Sequence, residues 1–136
     1  MICENSILID APLPAVFALT ADIERWPNIL PHYRWIRVLE RRGDALVVQM
    51  AAWRGWLPIR WTSRFEATGG ELRFQHLKAF TRSMEVNWTF TQTPDGVRVR
   101  ISHELDRWYA GWLARLIIHP VATQTLACFK RHLERP

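Results

Sequence analysis

Five histidines and two cysteines are the first candidates for proton or nucleophile chemistry in this 136-residue chain. His76 and His103 stand out, because each falls on the inward row of an alternating strand. A neutral imidazole there can accept a proton near neutral pH or hydrogen-bond a ligand carbonyl. The competing reading for each is a core histidine satisfied by its neighbours. Ser63 points inward by the same logic, but nothing in the sequence supplies it with a base, and neither a GxSxG elbow nor a phosphate-cradling glycine loop occurs. Solvent exposure accounts for His32, in the turn after Pro31, and for His119, before Pro120. No HExxH or paired-cysteine spacing joins the histidines to Cys3 and Cys128, so neither a metal site nor a cofactor is expected. The two thiols read as free and buried in a reducing compartment.

The inward rows come from strands. Ile59, Trp61, Ser63 and Phe65 alternate with Arg60, Thr62, Arg64 and Glu66, and Leu72, Phe74 and His76 share a face after the turn at Gly69 and Gly70. Met84, Val86, Trp88 and Phe90 alternate with polar residues, and Val97, Val99, Ile101, His103 and Leu105 follow the turn at Pro94, Asp95 and Gly96. This parity turns Arg64 outward unless a bulge intervenes. Upstream, residues 2–9 read as a strand, and short helices are predicted over Pro14 to Leu19 and from a cap at Asp22 through Trp26, stopped by Pro27 and Pro31. Two further strands, Tyr33 to Leu39 and Ala45 to Trp53, flank a turn at Arg41 to Asp44.

The element that must complete this sheet is the run from Tyr109 to Leu133. Ala122, Leu126, Phe129 and Leu133 form one apolar face, with Val121, Thr125 and Cys128 as a flanking row. Pro120 implies either a kink or a helix that ends near Ile118 and restarts. The expected architecture is α+β: a curved antiparallel sheet of about seven strands around a long C-terminal helix, with two short helices after the first strand.

Length fits one domain over residues 1–136, with a real core and room for a modest cavity. Eight tryptophans exceed what such a core needs and suggest a lined pocket or a partner surface. The formal charge is +5, from 18 basic and 13 acidic residues, but the basic residues are dispersed, so no nucleic-acid partner is expected. The N-terminus lacks a secretory pattern, and no apolar run reaches the roughly 18 residues of a membrane span, which makes the cytoplasm the expected location. A homodimer through an exposed strand, or through Trp35 and Trp56, is a hypothesis for light scattering.

Several segments together resemble the START-like, or SRPBCC, superfamily with its helix-grip fold, and within it the polyketide cyclase/dehydrase branch. They are Ile7 to Pro12, Val16 with Phe17, Asp22 to Pro27, the Pro31 to Tyr33 turn, Trp88 to Phe90, and the Gly96 to Val99 strand entry. The resemblance implies a deep cavity between sheet and final helix, with the short helices and connecting loops at its mouth and a bulky, largely apolar ligand inside. Trp26, Trp61, Ser63, Phe65, Phe74, Trp88 and Ile101 are the expected cavity residues. Tyr33 falls where such cyclases carry a cavity tyrosine. With His76 and His103, read from the inward rows, it makes the candidate catalytic set for the enolate stabilisation and proton movement that aldol closure and dehydration need. The same cyclases carry an inward arginine on the strand of Trp61, and here Phe65 stands at that place. Two functions therefore stand side by side: a cyclase/dehydrase acting on a polyketide-type substrate, and a noncatalytic carrier of a quinone or lipid. An interaction protein with a filled core is the third.

Overall fold

Alternating side chains build a seven-stranded sheet that is antiparallel throughout, and the C-terminal helical run lies along its concave face. The computed structural model describes residues 1–135, apart from the side chain of Phe80, so Pro136 of the expected 1–136 unit lies outside the described residues. Strand β1 (Ile2–Ile9) is followed by helix α1 (Leu13–Ala21), a 3-10 turn over Ile23–Arg25 and helix α2 (Trp26–Ile29). Strands β2 (Tyr33–Arg42), β3 (Ala45–Arg54), β4 (Leu57–Thr68), β5 (Glu71–His76), β6 (Glu85–Thr93) and β7 (Gly96–Glu104) come next. The chain ends in α3 (Ala110–Leu113), a π-helical turn over Ala114–Ile118, and α4 (His119–Leu133). Spatial order is β1-β7-β6-β5-β4-β3-β2, which leaves β1 and β2 at the edges.

Register fixes which loops share an end. Ile2 pairs with Glu104, Glu85 also pairs with Glu104, Gln75 pairs with Glu85, and Leu57 pairs with Arg54. The β3–β4 hairpin, the β5–β6 loop, the β7–α3 loop and the start of β2 therefore gather at one end. The Gly43, Gly69–Gly70 and Pro94–Gly96 turns gather at the other. Strand β4 pairs with β3 and β5 in unbroken register, so parity holds along its length. Arg64 is accordingly exposed on the outer face, 2.9 Å from Glu66, and does not face the interior.

The short helices differ from expectation in place and in capping. Helix α1 packs Phe17 edge-on against Phe90 at 5.3 Å, near the end of β6, and so closes the end of the sheet remote from the β5–β6 loop. Only α2, with the turn that follows it, returns to the other end. Asp22 makes no side-chain capping bond, and Pro27 sits in the first turn of α2 instead of stopping it, where its missing N–H has no intrahelical partner to lose. Trp26 becomes the centre of the core: its indole N–H donates to the Thr20 carbonyl at 3.1 Å, and its ring lies 5.3 to 5.9 Å from Tyr33, Phe74, Trp88 and Phe129. Such contacts contribute about 0.5–1.5 kcal/mol per pair beyond area burial.

Pro120 neither breaks nor sharply ends the final helix. Its ring lacks the N–H that would bond the Leu116 carbonyl, and the widened π turn before it removes the clash. The freed carbonyl accepts a 2.9 Å hydrogen bond from Arg54 Nε, which ties the β3–β4 hairpin to the helix. No helix among the described residues is long and apolar enough to cross a membrane.

Candidate functional site

Between the sheet and the first half of the helical run lies a cavity of about 100 Å³. The sheet side presents the aromatic rings of Tyr33, Trp61, Phe74 and Trp88, Trp26 enters from the start of α2, and the C-terminal helical run presents Leu113, Ile117, Ile118, Val121 and Ala122. The half-buried Ile59, Thr81 and Ile117 form its rim at the end where the β3–β4 and β5–β6 connections lie. The cavity is smaller than the resemblance implies. Trp26 accounts for the difference, because it projects into the middle of the barrel-like space and meets four other rings.

Three polar groups face this apolar wall from β2, β5 and β7. Tyr33, 8% exposed, stands edge-on to Trp61 at 6.0 Å. Burial raises its phenol far above the ordinary range, with a Thr125 hydroxyl contact partly offsetting it, so Tyr33 stays protonated and keeps an O–H to donate. His76 stacks on Trp61, with centroids 6.0 Å apart and planes 5° apart, and its Nδ1 is 2.7 Å from the Thr81 hydroxyl. Burial pushes it down to about 3, and the nearby His103 opposes its charge as a second cause. Burial likewise lowers His103 to about 4. Its Nδ1 is enclosed and has no hydrogen-bond partner. Both imidazoles are thus neutral near pH 7, with hydrogen-bonding capacity left for a ligand. Thr81 sits in a strained loop: Ala79 and Ser83, on either side of it, have φ of 63° and 73°.

Ser63 and Phe65 do not reach the cavity wall. Ser63 is fully buried and donates to the Gln75 carbonyl at 3.2 Å, while Phe65 packs behind Phe74 at 4.7 Å. Both have the inward parity but lie farther along β4, toward the closed end. His32 is buried, not exposed: its Nε2 lies 2.9 Å from Thr125 Oγ1, whose proton goes to the Val121 carbonyl. Desolvation lowers the imidazole to about 4, with a backbone hydrogen bond to Val121 opposing it. His119 is exposed and accepts from the Asn5 amide at 3.0 Å. Met50, Thr81 and Leu113 are wall residues that alternation did not single out, while Ile59 and Met84 stood on its inner rows without being expected in the cavity. The helix row Leu113, Ile117, Val121 and Thr125, spaced by four, carried a readable signal across Pro120.

Residues 9–134 match the family described as polyketide cyclase / dehydrase and lipid transport. A protein of Streptomyces halstedii assigned as a polyketide cyclase is 32% identical over 105 residues, which is 71% of this chain and 94% of that protein. The ribosome association toxin RatA of Pseudomonas aeruginosa is 28% identical over 123 residues, covering 89% of this chain and 84% of RatA. Among solved structures, the Zhui aromatase/cyclase of Streptomyces sp. R1128 superimposes with a TM-score of 0.85 at 16% identity, covering 99% of this chain and 94% of that one. One fold thus carries unlike functions, and only the site can choose among them. By the match over nearly its whole length, the chain belongs to the polyketide cyclase/dehydrase and lipid transport family.

Proposed function

We propose that the protein binds a compact apolar ligand bearing carbonyl or hydroxyl oxygens, such as a polyketide-type ring precursor, and promotes its aldol closure or dehydration. The observation that carries this reading is the convergence of one phenol and two neutral imidazoles on an otherwise apolar, aromatic wall. Tyr33 donates a hydrogen bond to a ligand carbonyl, and the same bond strengthens as that oxygen gains enolate charge. His103, with an unpartnered ring nitrogen, accepts the proton lost from carbon. His76, held by Thr81 and stacked on Trp61, orients the ring. At about 100 Å³ the cavity is smaller than the engineered cavity of about 150 Å³ that holds benzene, so even a single ring needs some movement of the wall. A larger ligand enters by displacing the half-buried Trp61 and Ile117.

A noncatalytic carrier is the second reading, and one observation favours it. Imidazoles that titrate at about 3 and about 4 are weak bases at neutral pH, and among the described residues no arginine lines the cavity beside them. Native mass spectrometry of the purified protein, followed by release and identification of what is bound, gives the ligand. Loss of its turnover in Tyr33→Phe and His103→Ala far beyond any loss of binding establishes the enzyme. A ligand recovered unchanged from every variant establishes the carrier, and an empty protein that also takes up no 1-naphthol overturns both.

A further inference from the structure

Eight tryptophans divide evenly in this molecule: Trp26, Trp35, Trp61 and Trp88 are buried or half-buried, and Trp53, Trp56, Trp108 and Trp112 are exposed. All four exposed ones lie at the end of the sheet where the cavity has its rim. Trp53 and Trp56 tip the β3–β4 hairpin, and Trp56 is 85% exposed. Trp108, 95% exposed, precedes α3, and Trp112 and Leu116 continue the same face at intervals of four. The adjoining row of this segment points Leu113 and Ile117 into the cavity. The apolar surface of the helix start therefore extends past the cavity row onto an exposed face, wider than the stripe a surface helix needs. The Arg54 bond to the Leu116 carbonyl makes hairpin and helix one continuous surface. Arg107 reaches the Arg82 carbonyl at 3.4 Å and joins the β5–β6 loop to it.

We propose that this rim docks on an anionic lipid surface, from which the cavity takes its ligand or to which it returns it. Indoles at loop tips suit the boundary between headgroups and acyl chains. Residues 53–58, 77–84 and 105–117 carry Arg54, Lys78, Arg82, Arg107 and Arg115, against Asp106 there and Glu85 and Glu104 at the adjoining strand ends. Five cations interleaved with indoles complement anionic headgroups. The same cations would repel one another if two copies met rim to rim, which disfavours a second copy as the occupant. The proposal rests on the reading that the cavity takes an apolar ligand, because it is the mouth of that cavity that faces the lipid.

Sedimentation with vesicles of phosphatidylcholine containing about one third phosphatidylglycerol tests it, since each basic residue near such a surface adds measurably to attraction. The intact protein is expected to sediment with these vesicles, to lose binding as salt is raised, and to show quenching of indole emission by brominated lipid. Trp108→Ala/Trp112→Ala should partition about tenfold more weakly or worse, with its melting temperature kept, because both side chains are exposed. Failure of the intact protein to sediment overturns the proposal. So does binding that needs the arginines and survives loss of the indoles, which would indicate an acidic protein partner, and so does a stable dimer that the double variant dissolves. Uptake of 1-naphthol is measured separately without lipid. A protein that fills its cavity yet ignores vesicles loses only the docking surface, and one that binds vesicles and takes up no ring compound loses the cavity reading.

Discussion

His32, His76 and His103 are folded as neutral rings at about 4, 3 and 4, against an ordinary value of 6.5, because burial disfavours the imidazolium. The sign follows directly. Above pH 6.5 neither the folded nor the unfolded chain protonates them, so they add no pH dependence. As pH falls below 6.5 the unfolded chain takes up protons that the folded chain excludes, and stability drops until the folded rings titrate near 4 and 3. Together the three are worth on the order of several kcal/mol across that window. Urea midpoints should therefore fall between pH 6.5 and 5, above the range where carboxylates dominate. His103→Gln should flatten the slope, and a midpoint that stays level over this interval would refute the buried-neutral assignment. Tyr33 gives the second test at this scale. Replacing its donor with Tyr33→Phe removes one hydrogen bond, about 0.5–1.5 kcal/mol, so 1-naphthol should bind several-fold more weakly by tryptophan quenching with stability little changed. Undiminished affinity would remove Tyr33 from the site.

At the scale of elements, the most constrained junction is the β6–β7 turn. Gly96 has φ of +140°, and a Cβ built on it would lie 2.5 Å from the Ile9 carbonyl oxygen at the end of β1. Gly43, φ +57°, turns in open space. Gly96→Ala should thus cost about 3 kcal/mol or more, through strain and a backbone clash, while Gly43→Ala costs about 1 kcal/mol. Equal losses in denaturant melts would contradict the close approach. The strands around this turn were legible in sequence because a half-buried strand has a period of two, and that period placed Trp61, Phe74, His76, Trp88, Ile101 and His103 on the inner face. Parity says nothing of position along a strand. Ser63 and Phe65 share the parity of Trp61 and still miss the cavity, since they lie nearer the closed end. Nor does it reveal what covers a turn, which is why His32 is buried against Thr125 although it sits in the turn after Pro31. The π turn before Pro120 was not legible either, because it depends on Arg54, distant in sequence, to satisfy the carbonyl that proline leaves free. The position of α1 depends on Phe17 meeting Phe90, again a tertiary choice.

For the molecule as a whole, the open sheet raises the question of its two edges, since an unpaired edge is a template for a second chain. Strand β1 is covered by α4. Lys130 donates to the Leu8 carbonyl at 2.6 Å, Glu134 accepts from the Asp10 amide at 2.8 Å, and the Asn5 amide donates to Thr123 at 2.8 Å. Strand β2 is blunted differently: its register with β3 shifts at Tyr33/Trp35 and again at Val38/Glu40, and such bulges spoil the ladder that a partner would extend. Its exposed face also carries Arg34 over Trp53 at 4.8 Å and Arg37 over Trp35 at 4.0 Å, so Trp35 is capped by a cation and offers little bare surface for self-association. With both edges closed in this way, and with the indole-rich rim charged against its own copy, light scattering should return a monomer mass near 16.0 kDa even at high protein concentration. A dimer that persists in high salt would mean that one edge is open after all. Charge-reversal at Arg37, which uncovers Trp35, would then strengthen that dimer, whereas in a monomer it would leave the mass unchanged.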